Sequence, residues 1–533
     1  MEPARGSRPQ GAARLATSPG LWLFLLFLCL YALTNRGSIW SSDAAMRLGM
    51  ARHLLDTGTV GVPDDLKPHL RVHGGKLVWG LGHALVLVPA VLVGRAVGPI
   101  AGPVLGPDAD EKLGEILASF SSVPIGALGV LLVYLVGRML GYGREVSVLA
   151  ATALGVATTW WPYTQDAFYE PLQGVCLLAG LLLILKARND HRARVALTAG
   201  LCFGFAVLTK LTNLAIAPPL VLALVPQDRR RNRRPGFWIL ALCVFLGALP
   251  LVALNGWSDY VRYGTAFPSA AERHPKYGGA LQHGEILPGV ISLATGLSEG
   301  MLWYAPPVLA ALFFLPGVGR RNRLVSVGVA LAVLVGILVT ARLADVGLRG
   351  ACWGPRYLVP LFPLAALGFL PWFEAVAKRG KRLARGLTGL LLAVAVAVQL
   401  LAISVHYQRY YAERADLPES VRGNLPYTFP LARQPVYLGE VLAGMVRGDP
   451  HRLQGEALAV EEGGLIAGSR AVNVLNFWWV LAYYQGVPRA LLILAVAFLV
   501  TLAWLSARML TRPGRSRGAR GAEGETVPVD EPS

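Results

Sequence analysis

The segment IWSSDAAMRLGMARHLLDTG, residues 39–58, decides how the chain can be arranged. It begins where the first long apolar run ends, so Asp43 is placed just outside a membrane rather than within it. Met46, Met50 and Leu54 follow at helical spacing on one face, and charged and polar residues occupy the other face. The pattern predicts a helix lying on the membrane surface, with a carboxylate at its start.

The composition of the whole chain agrees with a membrane location. Of its 533 residues, 54% are hydrophobic and only 15% are charged, and the mean hydropathy is +0.49. The apolar residues come in runs of about 20, which is long enough to cross a bilayer. No small-residue cleavage site follows the first run, so we expect it to be retained as a span rather than removed as a signal peptide.

The basic residues collect on one side of the predicted membrane. With the amino terminus inside, the inner loops and termini hold 27 of the 50 Lys and Arg residues and 9 of the 32 Asp and Glu residues. This difference equals the net charge of +18, so the excess is the positive-inside bias of a membrane protein and requires no nucleic-acid partner. The twelve predicted spans lie near 20–36, 113–137, 146–161, 171–185, 195–209, 211–225, 237–256, 301–316, 325–341, 358–373, 387–405 and 488–506.

These spans divide the chain into five regions, with both termini cytoplasmic in a plasma (inner) membrane. The predicted regions are a cytoplasmic amino terminus at 1–19, a transmembrane module at 20–405 with an outer loop at 37–112, an outer (periplasmic or extracellular) segment at 406–487, a last transmembrane helix at 488–506, and a disordered cytoplasmic tail at 507–533.

The segment KLVWGLGHALVLVPAVLVGRAV, residues 76–97, allows two interpretations. It is apolar enough to span the membrane, but a span here would place the arginines of the amino terminus outside. It is also interrupted by Gly80, Gly82 and Pro89. We therefore predict a helix that lies in the outer interface or dips into it. Lys210, between two short apolar runs, is predicted to mark a tight outer turn.

Several kinds of chemistry have no signal in the sequence. Four of the five cysteines fall within apolar runs, which predicts neither a disulfide framework nor a thiolate metal site. The histidines of the outer segments lack metal-ligand spacing such as HExxH, so no metal is expected. The absence of a Gly-rich phosphate loop argues against ATP or a soluble nucleotide sugar as a cofactor or donor.

Five further motifs follow in order at the outer ends of the spans. They are GKLVWGLG at 75–82, WWPYTQDAFYEP at 160–171, LTKLT at 208–212, GMLWYAPP at 300–307 and WGPRYLVP at 353–360. Together with Ser42-Asp43, this set resembles the GT-C superfamily of polyprenyl-phosphate-sugar-dependent membrane glycosyltransferases, which includes the protein O-mannosyltransferases and the lipid A aminoarabinose transferases. The resemblance implies an all-α integral membrane fold with about 12 transmembrane helices and interfacial helices in the first outer loop.

The resemblance makes Asp43 the candidate catalytic residue. An acceptor hydroxyl that attacks an anomeric carbon must lose its proton, and a carboxylate within hydrogen-bond reach can take it. The alternative is that Asp43 only caps the helix that begins there, for which Ser41 and Ser42 are equally suitable. The two roles do not exclude each other.

Three cations are candidates for binding the donor phosphate, namely Arg356, Lys210 and Lys76. A positive charge would stabilise the phosphate as it leaves. Each also has a simpler explanation, since Arg356 and Lys210 could snorkel at helix ends and Lys76 could border the interfacial helix.

Five residues are candidates for substrate binding: Asp166, Glu170, Arg262, Tyr263 and Trp303. The resemblance places an acidic residue near Asp166 and Glu170, although several relatives end this loop in Asp-Pro where this chain has Glu170-Pro171. The carboxylates could instead cap the following helix. The aromatic rings could stack on sugars, but membrane interfaces are enriched in aromatic residues in any case.

The predicted function is transfer of a sugar from a polyprenyl-phosphate donor to a glycan, glycolipid or protein acceptor at the outer face. A transporter or flippase for a lipid-linked saccharide is the alternative. It would be expected to carry charged residues around a cavity in mid-membrane and to show internal duplication, whereas the ionisable residues here gather at the outer ends of the spans.

Overall fold

The structure, a computed structural model, describes most of the chain. The described residues are 18–67, 77–225, 236–273, 283–345, 352–416, 428–447, 474–484 and 486–511, together with positions 418 and 420. Their regular secondary structure consists of α-helices and short 3-10 turns, and no strand occurs among them. The predicted all-α class is thus confirmed.

The first ten helices lie between Pro19 and Tyr263. They are α1 Pro19–Thr34, α2 Ser42–Thr57, α3 Leu81–Leu105, α4 Ala109–Phe120, α5 Ser122–Met139, α6 Arg144–Val156, α7 Glu170–Asp190, α8 Ala193–Thr209, α9 Asn213–Ile216 and α10 Gly236–Tyr263. The later helices are α11 Ala270–Arg273, α12 Ile286–Thr295, α13 Met301–Tyr304, α14 Pro306–Phe314, α15 Arg323–Asp345, α16 Phe362–Ala365, α17 Phe369–Arg379, α18 Arg382–Ser404, α19 Gln408–Asp416, α20 Pro430–Arg447, α21 Trp478–Tyr484 and α22 Arg489–Thr511.

Eight helical stretches of the described chain are long and apolar enough to cross a membrane. They are Leu81–Pro103, Ala109–Met139, Glu170–Asp190, Gly236–Tyr263, Arg323–Leu343, Arg356–Arg379, Arg382–Ser404 and Arg489–Thr511. Shorter apolar helices include Pro19–Thr34 and Ala193–Thr209. The chain is therefore a multi-pass membrane protein, and helices lie at all the predicted spans.

Several predicted spans are not continuous α-helices: the one at 113–137 is broken at Ser121, the one at 358–373 contains 3-10 turns, and two more break at a proline. The span at 211–225 consists of α9 followed by a 3-10 turn at Pro218–Leu224, and the span at 301–316 is interrupted at Ala305 between α13 and α14. Proline begins the second piece in each case, and it lacks the amide hydrogen that would continue the α-helical bonding. Hydropathy correctly predicts that these two segments are apolar, and proline breaks their backbone into separate helical pieces.

The predicted interfacial segment at 76–97 is helical from Leu81 onward and continues to Leu105. The expectation that Gly82 and Pro89 interrupt it is wrong, because α3 runs through both residues, and Gly80 precedes its first turn. α3 packs antiparallel to α4: a Cβ added at Gly94 would lie 2.6 Å from the Asp110 carbonyl oxygen. α4 leads directly into α5. The α3–α4 hairpin is therefore attached at the amino end of α5, where Ser122 lies. The interfacial placement stays a prediction.

The core is centred on α7, which packs against α5, α8 and the 3-10 turn Arg356–Leu361. Leu177, Leu181 and Leu185 of α7 are fully buried. Because Glu170 begins α7 and Arg356 begins the turn packed beside it, the core brings these two charged residues to one end of the bundle.

The start of α3 is fixed against the end of α8. A Cβ added at Gly80 would lie 2.3 Å from the Thr209 carbonyl oxygen, so the two backbones are in direct contact. This close approach brings Trp79, before α3, to the same place as Lys210, after α8.

The outer segment predicted at 406–487 is described in part. α19 and α20 pack against each other, and α20 packs against α18. In α21, the Trp478 and Trp479 indoles donate to the Ala32 and Leu33 carbonyls at the end of α1, at 2.9 and 3.0 Å. The helices described in this segment are therefore joined to the transmembrane module. The amino terminus at 1–17 and the tail from 512 lie outside the described residues.

The contact between α3 and α4 gives a stability prediction. Gly94→Ala should destabilise the protein by about 1–3 kcal/mol, because its methyl group would overlap the backbone of α4. Gly102→Ala is the control on the same helix, since its added Cβ would meet no other packed helix of the described chain within 4 Å, and it should cost less stability than Gly94→Ala. Thermal unfolding of both variants in nanodiscs measures the difference, and equal Tm values would contradict the described packing.

Candidate active site

The site begins at the amino end of α2. The backbone amide of Ala44 donates to the Ser41 hydroxyl at 3.0 Å, so Ser41 caps this helix. Asp43 lies in the first turn and its carboxylate is not used for capping. The side chain is 27% exposed, which makes it the most accessible of the acidic groups gathered here. The Asp43 carboxylate is therefore available for contacts with other side chains.

Three side chains surround the Asp43 carboxylate. The Trp79 indole donates to Oδ1 at 2.8 Å. On Oδ2, the Arg356 guanidinium forms a short charged hydrogen bond through Nη2, and Arg47 Nη2 lies 3.9 Å away. One carboxylate therefore meets an indole and two guanidinium groups.

Arg356 also binds a second carboxylate. Its Nε donates to Glu170 Oε1 at 2.6 Å, and Glu170 is fully buried. The turn that positions Arg356 depends on Gly354, whose φ of +63° is rarely adopted by other residues. A Cβ there would also lie 2.6 Å from the Tyr304 Cβ. The motif at 353–360 thus directs one guanidinium between Asp43 and Glu170.

The cations determine the charge state of Asp43. Burial disfavours the charged form most strongly, but Arg356, Arg47 and the Trp79 hydrogen bond together keep the pKa of Asp43 well below its usual range. The carboxylate is therefore charged at neutral pH, and it becomes a stronger base only when these contacts weaken.

Lys210 completes the cluster. Its ammonium lies 4.3 Å from the centroid of the Tyr357 ring and 5.5 Å from that of Tyr169. Burial lowers the pKa of Lys210 to about 8, with nearby Glu170 and Asp43 acting in the opposite direction. Lys210 is thus a half-buried cation held by aromatic faces.

Two contributors to this cluster were not identified from the sequence. Arg47 lies one turn after Asp43, and its guanidinium stacks over the Tyr169 ring at 4.1 Å. The spacing of four residues from Asp43 was a usable signal, because residues i and i+4 share a helix face. Trp79 lies in the motif at 75–82, but nothing in the sequence indicated that its indole would reach Asp43.

Asp166 lies beside the cluster and binds backbone. Its Oδ2 accepts from the amides of Ser41 and Trp40 at 2.9 and 3.2 Å, and its Oδ1 accepts from Ala167 at 2.6 Å. Burial raises the pKa of Asp166, while these amides partly offset that effect. The carboxylate therefore fixes the segment immediately before Asp43, and its predicted contact with substrate stays a prediction.

The remaining candidates for substrate binding are Arg262, Tyr263 and Trp303. Arg262 donates to the carbonyls of Trp79 and Leu77 at 2.6 and 3.0 Å, and the Tyr263 hydroxyl also donates to Leu77 at 2.8 Å. Both therefore support the backbone that presents Trp79 to Asp43. The Trp303 indole donates to Thr295 instead, in a contact separate from this cluster.

The two remaining predictions concern Lys76 and metal binding. Lys76 lies outside the described residues. In the described part of the chain, no group of three or more His, Cys, Asp or Glu side chains could hold a metal ion. The positive charge available at the described site is that of Arg47, Lys210 and Arg356.

The contacts of Asp166 give a prediction that separates a structural role from substrate binding. Asp166→Asn should destabilise the protein by about 1–3 kcal/mol, because one of the two acceptor oxygens that receive buried amides is lost. Asp64→Asn is the control, since Asp64 is exposed and should change stability by less than about 0.5 kcal/mol. Unfolding by heat measures both, and an unchanged Tm for Asp166→Asn would contradict the structural role.

Comparisons with known proteins can be set beside this geometry. The family model for dolichyl-phosphate-mannose-protein mannosyltransferases matches residues 115–253. Among solved structures, ArnT from Cupriavidus metallidurans bound to undecaprenyl phosphate is similar with 17% identity and a TM-score of 0.44, covering 94% of this chain and 78% of that one. ArnT from the same organism in its apo state is similar with 17% identity and a TM-score of 0.42, covering 94% of this chain and 77% of that one. No curated protein sequence matches. The family match confirms, over residues 115–253, the resemblance to membrane glycosyltransferases that the motifs predict.

Proposed function

We propose that this chain is a membrane glycosyltransferase that takes a sugar from a polyprenyl-phosphate-linked donor and transfers it to an acceptor at the outer face of the plasma membrane. The family match and the membrane-spanning helices support the reaction class and the lipid-linked donor. The acceptor is a glycan, glycolipid or protein. Both termini are cytoplasmic, as the distribution of basic residues indicates.

One observation carries the proposal. Asp43, Glu170, Arg356 and Lys210 come from four separate segments, and the fold brings their side chains to one place at helix ends. Charged groups are costly to bury and are paired where the fold requires them. A largely buried cluster of five charged groups, with Arg47 as the fifth, is typical of a functional site.

Asp43 acts as the base of the reaction. The acceptor oxygen forms a bond to the anomeric carbon of the donor sugar, its proton passes to the Asp43 carboxylate, and the bond from the anomeric carbon to the phosphate oxygen breaks. The electron pair of that bond leaves with the lipid phosphate. Attack from the face opposite the phosphate inverts the configuration at the anomeric carbon.

Lys210 and Arg356 stabilise the leaving phosphate. Three cations face two carboxylates in this cluster, which leaves one positive charge available for an anionic group. Because the site is only partly open to water, this charge stabilises a developing phosphate anion more strongly than it would in solution. The polyprenyl tail remains in the bilayer and keeps the phosphate at the rim where these cations lie.

The first prediction from this mechanism concerns Asp43. Asp43→Asn should reduce transfer by about 100-fold or more, because an amide cannot accept the proton of the acceptor hydroxyl. Asp56→Asn is the matched control on the same helix, since this residue is half-exposed and pairs with Arg95. Mass spectrometry of surface glycans and lipid-linked sugars, in cells lacking the gene and complemented with each variant, measures transfer. Full activity of a folded Asp43→Asn protein would exclude Asp43 as the base.

The second prediction concerns the ionisation of Lys210. With a pKa of about 8, Lys210 is charged at pH 7 and mostly neutral at pH 9, so affinity for undecaprenyl phosphate should fall about tenfold over this range. The phosphate has a second pKa of about 6, so it gains only a little negative charge over this range, and that gain would act against the loss. Lys210→Arg stays charged and should flatten the dependence. Titration of the purified protein in nanodiscs measures this, with Lys112→Arg as a control that should keep the wild-type slope. A flat wild-type profile would contradict the role of Lys210.

A further inference from the structure

Two arginines approach the same oxygen of Asp43, and they are held in different ways. Arg356 binds Oδ2 from outside α2 through Nη2 and has a second bond to Glu170. Arg47 belongs to α2 itself, and its Nη2 lies 3.9 Å from the same oxygen. One carboxylate oxygen thus has a bonded cation and a second cation slightly beyond bonding distance.

A phosphate bound bidentately by Arg356 would compete with Asp43 for the same guanidinium nitrogen. Its Nε and Nη2 are directed to Glu170 and Asp43, and both pairs of nitrogens that can hold a phosphate bidentately, Nε–Nη2 and Nη1–Nη2, include Nη2. Glu170 is fully buried and would lose its cation, whereas Asp43 is partly exposed. Release of Asp43 is therefore the less costly change.

Arg47 is placed to replace Arg356 at Asp43. Its Nε donates to the Asp43 carbonyl at 2.9 Å and its guanidinium rests on the Tyr169 ring, so the group is already oriented. Both terminal nitrogens, Nη1 and Nη2, are buried and have no hydrogen-bond partner in the described part of the chain. A shift of about 1 Å would bring Nη2 to hydrogen-bond distance of Oδ2.

We propose that Arg47 is a positioning residue that takes over the Asp43 carboxylate when Arg356 turns to the donor phosphate. The inference rests on the proposed function, since it assumes a phosphate-bearing donor. Arg47 keeps Asp43 charged and oriented through the exchange, and it spares the protein an unpaired carboxylate in a partly buried site. Arg47 itself does not touch the phosphate.

Binding of undecaprenyl phosphate to the full-length protein in nanodiscs tests the exchange through a double-mutant cycle. Arg47→Gln should weaken binding about tenfold, because release of Arg356 now leaves Asp43 unpaired. In the Asp43→Asn background, the same substitution should have no effect, because no charged carboxylate needs a partner. Arg47→Lys should restore most of the affinity, since an ammonium can also pair with Asp43.

Two controls separate this outcome from simple damage. Arg52→Gln lies on the same helix and removes a cation whose partners, Glu111 and Glu115, are outside the site, so it should bind as the wild type does. Thermal unfolding confirms that each variant is folded. If Arg47→Gln does not fold, Arg47→Met serves in the same cycle, because its stem fills part of the same space.

Each result of the cycle decides the proposal. Unchanged binding by Arg47→Gln would overturn it. An equal loss in both backgrounds would also overturn it and would make Arg47 a direct ligand of the phosphate. Undecaprenol, which lacks the phosphate, should not compete. If the wild-type protein itself does not bind undecaprenyl phosphate, the donor class in the proposed function fails, and this inference falls with it.

Discussion

The guanidinium of Arg356, held between Asp43 and Glu170, is the contact on which the arrangement of the site depends. It joins the amino end of α2 to the amino end of α7, two elements far apart in sequence. A buried carboxylate without a partner costs several kcal/mol, so neither helix can move away without a large penalty. The fold accepts this cost at one end of the bundle, where the proposed reaction takes place.

The contact between Arg356 and Asp43 orders the carboxylate, but it also makes the carboxylate less basic. Arg356 and Arg47 keep Asp43 ionised, which a base requires, but they also lower its pKa and so reduce its affinity for a proton. A carboxylate so strongly stabilised is a poor base until one cation departs. The phosphate of the proposed donor is a natural competitor for Arg356, since an anion binds a guanidinium as a carboxylate does. Binding of the donor and activation of the base would then be linked through one arginine.

Much of this site could be predicted from the sequence, because position along a membrane protein is informative. Asp43, Glu170, Lys210 and Arg356 each lie at the end of an apolar run, and the alternation of inner and outer loops assigns all four to one side. The breaks at Ala305 and Pro218, by contrast, depend on local backbone geometry that hydropathy does not report. Roles set by long-range contacts were also missed, since no pattern near Trp79 shows that it would lie 2.8 Å from Asp43.

The contacts of three predicted substrate-binding residues show that functional-group chemistry alone does not separate a supporting residue from a ligand-binding one. Asp166, Arg262 and Tyr263 carry the same functional groups that bind sugars and phosphates, and they lie in the right region. In the structure all three bind backbone atoms: Asp166 holds the amides before Asp43, and the other two hold the carbonyls around Trp79. An irregular backbone at the rim of a membrane leaves amides and carbonyls without helical partners, and these must be satisfied by side chains. A site built from loops at helix ends therefore needs polar groups for support as well as for chemistry, and both kinds look alike in sequence.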